Sequence, residues 1–295
     1  METLSSCPVC NNKSFIHFLT CKDYTTSQEN FDIISCDSCS LKFTNPRPAA
    51  AEIGPYYKSD EYISHTNSKK GLINQLYQIV RSFTLKQKVN LINSYANNKS
   101  ILDYGCGTGE FLNACKNDGY TVEGFEPDSD ARKLAINNYG ITVYCGDELN
   151  IVSNSSKNVI TLWHVLEHVH DLEGLLNNLS RILQRDGTLF IAVPNHTSYD
   201  AKLYGEYWAA YDVPIHLYHF SPETIKKLLE KFGFSLKQTL PMNFDSFYVS
   251  MLSEKYKTGA TNLPKAFFNG LISNLKASGD KQNYSSQIYI FQKAK

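Results

Sequence analysis

The sequence predicts an α/β fold: a mainly parallel sheet preceded by a small metal-binding unit. Three observations carry this. From about residue 99 onward, short apolar stretches of strand length alternate with amphipathic stretches of helical period. The first strand stretch runs into spaced glycines, Gly105, Gly107 and Gly109. The start of the chain carries two Cys-x-x-Cys pairs, Cys7 with Cys10 and Cys36 with Cys39.

The elements follow in order. Residues 100–104 read as an apolar strand, followed by the glycine turn and a helix bearing Phe111, Leu112, Ala114 and Cys115. A second strand at 121–125 leads into a helix over 128–139, which Gly140 stops as a left-handed cap. Strands are predicted at 141–145, 158–163 and 189–193, with a helix at 172–183 and a turn at Asp186-Gly187 before the last strand. Ser221-Pro222 opens another helix, the serine as cap and the proline at the first helical position. A closing antiparallel hairpin is expected from a strand at 236–240 or 247–252 and one at 287–292, with an amphipathic helix over 263–275 between them.

Composition narrows the function. The 295 residues are 42% hydrophobic, enough for one substantial core and a small second unit. Lysine plus arginine equals aspartate plus glutamate at 29 each, so no net field draws the chain to nucleic acid or an anionic membrane. The start has no basic and apolar leader, and no apolar run approaches the ~18 residues of a membrane span. A cytoplasmic protein with a small-molecule partner is expected, with the oligomeric state left open.

The cysteine pairs stand 25 residues apart, enough for a hairpin to bring four thiolates round one tetrahedral zinc. Four sulfur ligands leave no open position, so the metal is expected to be structural. Residues 1–50 hold four basic and five acidic side chains, which is no nucleic-acid footprint.

A glycine turn between strand and helix lets a ligand approach the backbone at a helix N-terminus. The spacing here is G-x-G-x-G. A dinucleotide fingerprint needs its third glycine where this chain has Glu110. Asp103, two residues before the turn, repels a pyrophosphate but suits a sulfonium and an ammonium. Glu126 ends the second strand, where an acid can accept hydrogen bonds from ribose hydroxyls, and Asp147 follows the third strand, where it can hold an adenine amino group.

These residues resemble the class I S-adenosylmethionine-dependent methyltransferases over roughly residues 99–234. The resemblance implies a Rossmann-like, mainly parallel sheet of about seven strands with a C-terminal antiparallel hairpin. It also implies a cofactor site drawn from Asp103, Gly105, Cys106, Gly107, Gly109, Glu126, Pro127, Asp147 and His164. The segment from Leu41 to Pro48, followed by Tyr56-Tyr57, is similar to the N-terminal module that precedes methyltransferase domains in bacterial sugar and secondary-metabolite pathways. The implied organisation is a zinc ribbon at 1–48, a helical connector or lid at 49–98 and a methyltransferase domain at 99–295, with S-adenosylmethionine and structural zinc as cofactors.

His164, Glu167 and His168 fall on one face of a helical turn after the fourth strand. The turn is similar to the E-x-x-E-H element of ubiquinone-type O-methyltransferases, for which a divalent cation is implied. His164 stands where that element has its first acid, and the departure favours Glu167 and His168 satisfying one another. An aromatic stretch from Tyr204 to His219 suits a pocket over an acceptor, with Tyr211, His216 and His219 as candidates to take a proton from it. The expected function is methyl transfer to a sugar, secondary-metabolite or quinone-like acceptor. An RNA methyltransferase and an NAD-dependent oxidoreductase are the alternatives.

Overall fold

The computed structural model describes residues 1–57, 72–279 and 283–294, with the backbone alone for 72–81. The 49–98 connector therefore lies partly outside the described residues. Its described part includes helix α1 (Leu72–Asn93).

The main sheet has seven strands. They are β4 (Ser100–Tyr104), β5 (Thr121–Phe125), β6 (Thr142–Tyr144), β7 (Lys157–Trp163), β8 (Leu183–Pro194), β10 (Phe234–Pro241) and β11 (Ser286–Lys293). Their order is β10-β11-β8-β7-β4-β5-β6. The five strands from β8 to β6 run parallel, and β11 pairs antiparallel with both β8 and β10. The chain winds outward from β4 to β6, then crosses back to β7. The crevice at the carboxyl ends of β4 and β7 is therefore the switch point where such sheets take ligands.

Both faces are covered, as alternation within the strands requires. Leu102, Ile160, Leu162, Leu189 and Ile191 face one side, where α4 (Leu172–Ile182) and α6 (Pro222–Lys231) pack. Ile101, Val159, Phe190 and Ile290 face the other, against Val89 and Ile92 of α1 and Phe111, Leu112 and Cys115 of α2 (Glu110–Asn117). Helix α4 buries Leu172, Leu175, Leu176, Leu179 and Ile182, each worth roughly 1.5–3 kcal/mol of transfer free energy. Helix α3 (Ser129–Tyr139) is capped by Asp128 and closed by left-handed Gly140. Among the described residues no helix is long and apolar enough to cross a membrane.

Two local expectations change. Asp186-Gly187 does not precede β8 but lies within it. The ladder steps from Lys157↔Leu183 to Val159↔Thr188, so the polar turn bulges out of a strand that starts earlier. The hairpin strand is β10, while residues 247–252 belong to helix α7 (Asp245–Thr258). Their mixture of Phe, Tyr, Val, Met and Leu with one serine fits the pairing of α7 against α8 (Leu263–Gly279), where Ser246, Ser250 and Ser253 are buried.

The N-terminal strands β1 (Phe15–Lys22), β2 (Asn30–Cys36) and β3 (Lys42–Thr44) form a second sheet whose fourth strand is β9 (Tyr218–His219). Lys42 pairs with His219 and Phe43 with Tyr218. The cysteine-bearing unit and the aromatic stretch thus share one sheet. Helix α5 (Tyr199–Tyr204) lies between β8 and that stretch.

Candidate functional site

The glycine turn sits at the carboxyl end of β4. Gly105, Gly107 and Gly109 have φ of +79°, +55° and +86°, a region costly for any residue with a Cβ. A Cβ on Gly105 would lie 2.4 Å from Val165 Cγ2, and one on Gly109 2.9 Å from Ala135 Cβ. Around Gly107 nothing among the described residues lies within 4 Å of that position, so on that side its face is open for a ligand to approach. Gly107 N–H donates to Glu126 Oε2 at 2.8 Å, and Asp128 N–H to Glu126 Oε1 at 2.9 Å. Burial raises the Glu126 carboxyl, and these two donors oppose the rise.

Asp103 is 3% exposed and accepts the Thr161 hydroxyl at 2.5 Å from the neighbouring strand. Burial pushes its carboxyl up to about 7, against the pull of Thr161 and Lys88. Cys106 packs its sulfur against Gly124 of β5, 2.5 Å from where a Cβ there would sit, and burial holds its thiol protonated. It is a packing residue with its backbone in the turn. Pro127 is exposed just beyond Glu126, and Asp147 is exposed on the short 3-10 helix after β6. The structure therefore gathers Asp103, the three glycines and Glu126 closely, with Asp147 on the neighbouring strand end.

His164 follows β7 with φ +58°. Its Nε2 lies 3.2 Å from Asp245 Oδ2 and its Nδ1 3.6 Å from Glu167 Oε1. Burial disfavours its charge, but Asp245 and Glu167 outweigh burial and raise the imidazole to about 9. Trp163 is covered by Lys88, whose Nζ lies 4.2 Å from the ring centroid, and by the edge of Phe111. Trp163 Nε1 is buried without a hydrogen-bond partner among the described residues, a donor available to a ligand. Lys88 and Asp245 were not picked out by sequence. They lie in the connector and at the start of α7, and only tertiary packing brings them to β7.

The three proton-taking candidates have different surroundings. His216 is buried, donates Nδ1–H to Ala210 O at 2.9 Å, and meets the His168 ring edge-on at 4.6 Å. His219 Nε2 lies 3.2 Å from Thr44 Oγ1. The Thr44 hydroxyl donates to His216 O at 2.7 Å, so it accepts from His219. Burial keeps both histidines well below the ordinary imidazole range, His216 also through His168 and His219. Tyr211 packs edge-on against Trp208 and His219 and lines a small cavity with Cys21, Tyr24 and Tyr256; burial raises its phenol. His216 is thus brought beside Glu167 and His168, while His219 is engaged by Thr44 within the smaller sheet and Tyr211 packs against Trp208 and His219.

At the other end of the N-terminal unit, Cys7 Sγ lies 3.5 Å from Cys39 Sγ, and Cys10 Sγ 3.5 Å from Cys36 Sγ. All four sulfurs fall within 4.8 Å of one another. Burial raises the Cys36 thiol, but the N–H groups of Cys39 and Ser38 outweigh it and bring it down to about 7. This donor set fits a tetrahedral zinc.

Residues 61–239 match a family described as "Methyltransferase domain". Over 125 residues the chain is 32% identical to the ubiquinone biosynthesis O-methyltransferase of Haemophilus ducreyi, a match covering 37% of this chain and 52% of that one. The chain thus spans about half the length of the curated relatives it matches. Among solved structures it is similar to magnesium protoporphyrin IX methyltransferase from Synechocystis PCC 6803 (TM-score 0.53, 13% identity, 81% of this chain and 97% of that one). It is also similar to an S-adenosylmethionine-dependent methyltransferase from Archaeoglobus fulgidus (TM-score 0.50, 20% identity, 72% and 94%). Both likenesses are of fold. With most of its length matched by the family and its sheet built in the same way, the chain belongs to the methyltransferase-domain family, of the class I S-adenosylmethionine-dependent type.

Proposed function

We propose that the chain transfers a methyl group from S-adenosylmethionine to a small-molecule acceptor of the sugar, secondary-metabolite or quinone kind. The observation that carries this is the pair of buried carboxylates, Asp103 and Glu126, on either side of an open Gly107. Two acids this close suit a cationic cofactor with a ribose and oppose a pyrophosphate. When bound, S-adenosylmethionine supplies an activated methyl on a sulfonium. Asp103 meets the ammonium end, Glu126 exchanges its Gly107 contact for ribose hydroxyls, and Trp163 and Lys88 close the side next to β7. Gly105, Cys106, Gly109, Pro127, His164 and, at the adenine end, Asp147 complete the site. The aromatic stretch around His216 and Tyr218 faces the acceptor, and His216 takes part in ionising it.

Four cysteines, Cys7, Cys10, Cys36 and Cys39, hold a structural zinc in this reading. Through β3 and β9 that zinc supports the acceptor loop. Incubation with methyl-labelled S-adenosylmethionine and panels of sugar nucleotides, catechols and polyketide-like phenols tests the function. Label transfer to one class supports it. Stable binding of the cofactor with no transfer and no slow release of S-adenosylhomocysteine counts against it.

A further inference from the structure

Glu167, His168 and His216 each offer one ligand atom, and these atoms all lie within 4.8 Å of one another. Glu167 is fully buried, and neither carboxylate oxygen has a hydrogen-bond partner among the described residues. The nearby His164 Nδ1 is beyond hydrogen-bond reach at 3.6 Å, and the same ring is drawn to Asp245 at 3.2 Å. Glu167 and His168 therefore do not satisfy one another. Glu167 thus has the His164 ring 3.6 Å away as a charge partner but, among the described residues, no hydrogen bond to either oxygen, an under-satisfied buried carboxylate that a bound cation would complete.

The two imidazoles are fixed in a complementary way. His168 Nδ1 lies 3.0 Å from Ile215 O and 3.2 Å from the Tyr57 hydroxyl, which can accept as well, and His216 Nδ1 lies 2.9 Å from Ala210 O. A carbonyl only accepts, so both Nδ1 atoms carry the proton and both Nε2 atoms keep a lone pair. Backbone carbonyls that lock the far nitrogen are the usual outer support of a metal-binding histidine. Three lone-pair donors thus converge with no proton to share.

We propose that Glu167, His168 and His216 hold one divalent transition-metal cation, the histidines through Nε2. This set departs from the one the sequence resemblance implies. His164, at the first position of that element, is engaged by Asp245, and the third ligand comes from a loop 48 residues beyond His168. Two imidazoles and one carboxylate suit zinc, iron, manganese or nickel better than magnesium or calcium. Three protein ligands leave positions open, unlike the four-cysteine site. An acceptor hydroxyl bound there ionises more readily, and its proton leaves to solvent. That use rests on the proposed methyl transfer, whereas the cation site itself does not.

The test is titration of Co²⁺ into the full chain with zinc left on the cysteines, read by visible absorption. One equivalent is expected to give ligand-field bands without the near-ultraviolet charge-transfer band of a cobalt thiolate. Glu167→Gln and His216→Ala are expected to weaken it tenfold or more, and Cys36→Ser to leave it. S-adenosylhomocysteine binding, measured on the same variants, is expected to persist and shows that they fold. Absence of the bands in the wild-type chain overturns the site whatever the variants do. Unchanged cobalt affinity in both folded variants overturns it too. Failure of S-adenosylhomocysteine to bind the wild-type chain would strike the methyltransferase reading and leave the cobalt result standing.

Discussion

Gly107 donates its backbone N–H to the carboxylate of Glu126 at 2.8 Å, linking the turn after β4 to the end of β5. The contact holds Glu126 at the carboxyl end of β5, aimed at a glycine with open space before it among the described residues.

The turn itself is the most restrictive feature of the fold. Gly105→Ala must take φ +79° and place its Cβ 2.4 Å from Val165. The left-handed conformation alone costs about 1–2 kcal/mol, and the clash forces the turn open. The variant is expected to lose S-adenosylhomocysteine binding in calorimetry while keeping its far-ultraviolet circular dichroism. Binding at wild-type strength would show that the turn is not the cofactor site.

Asp103 gives the site a pH dependence. Its carboxyl is raised to about 7 by burial, with Thr161 and Lys88 favouring the ionised form and Glu126 opposing it. Below that value it is neutral and no longer attracts an ammonium. Cofactor affinity is expected to fall roughly tenfold per pH unit once pH is well below 7, and to rise to a plateau above it. Asp103→Asn should be weaker throughout and flat across that range. A wild-type profile as flat as the variant's would contradict the role given to Asp103.

His164 is raised to about 9 because Asp245 and Glu167 outweigh its burial. A group whose folded pKa is raised stabilises fully below its unfolded value, about 6.5, and loses that contribution as pH rises through the folded value. The stability advantage of the wild type over Asp245→Asn, in chemical denaturation without added divalent metal, should therefore be greatest near pH 6.5 and shrink toward pH 10. An advantage that grows with pH would show that the pair does not form.

Thr44 of β3 ties the N-terminal strands to the aromatic stretch by accepting from His219 and donating to His216 O. Thr44→Val leaves a buried carbonyl and a buried imidazole N–H without partners, at a cost of about 1–3 kcal/mol. The thermal midpoint should drop, and Cys36→Ser, which removes one of the four proposed zinc ligands, should lower it further. If the Cys36→Ser chain retained both zinc and its midpoint, the structural-zinc proposal would fail.

Much of the catalytic half was legible because its signals are local. Strand-length apolar runs, the glycine spacing and Gly140 each act within a few residues, and β4, β5 and α3 lie where the residues place them. The rest depends on distant partners. Lys88 reads as one more polar residue on a connector helix until Trp163 packs beneath it. Asp245 sits next to a stretch with strand-like composition that the pairing of α7 with α8 turns into helix. The roles of His216 and His219 are equally hidden. Three residues apart, one meets Glu167 and His168 while the other meets Thr44, and only the β3–β9 register decides which.

The central claim is that the crevice at the carboxyl ends of β4 and β7, rimmed by Glu126 just after β5, is built for a sulfonium nucleoside. Calorimetric titration of the full chain with S-adenosylhomocysteine and, separately, with NAD tests it most directly. The structure predicts one S-adenosylhomocysteine per chain, no measurable NAD binding, and at least a tenfold loss of S-adenosylhomocysteine affinity in Glu126→Ala, about 1.4 kcal/mol. NAD binding in place of S-adenosylhomocysteine, or unchanged S-adenosylhomocysteine affinity in Glu126→Ala, would contradict it.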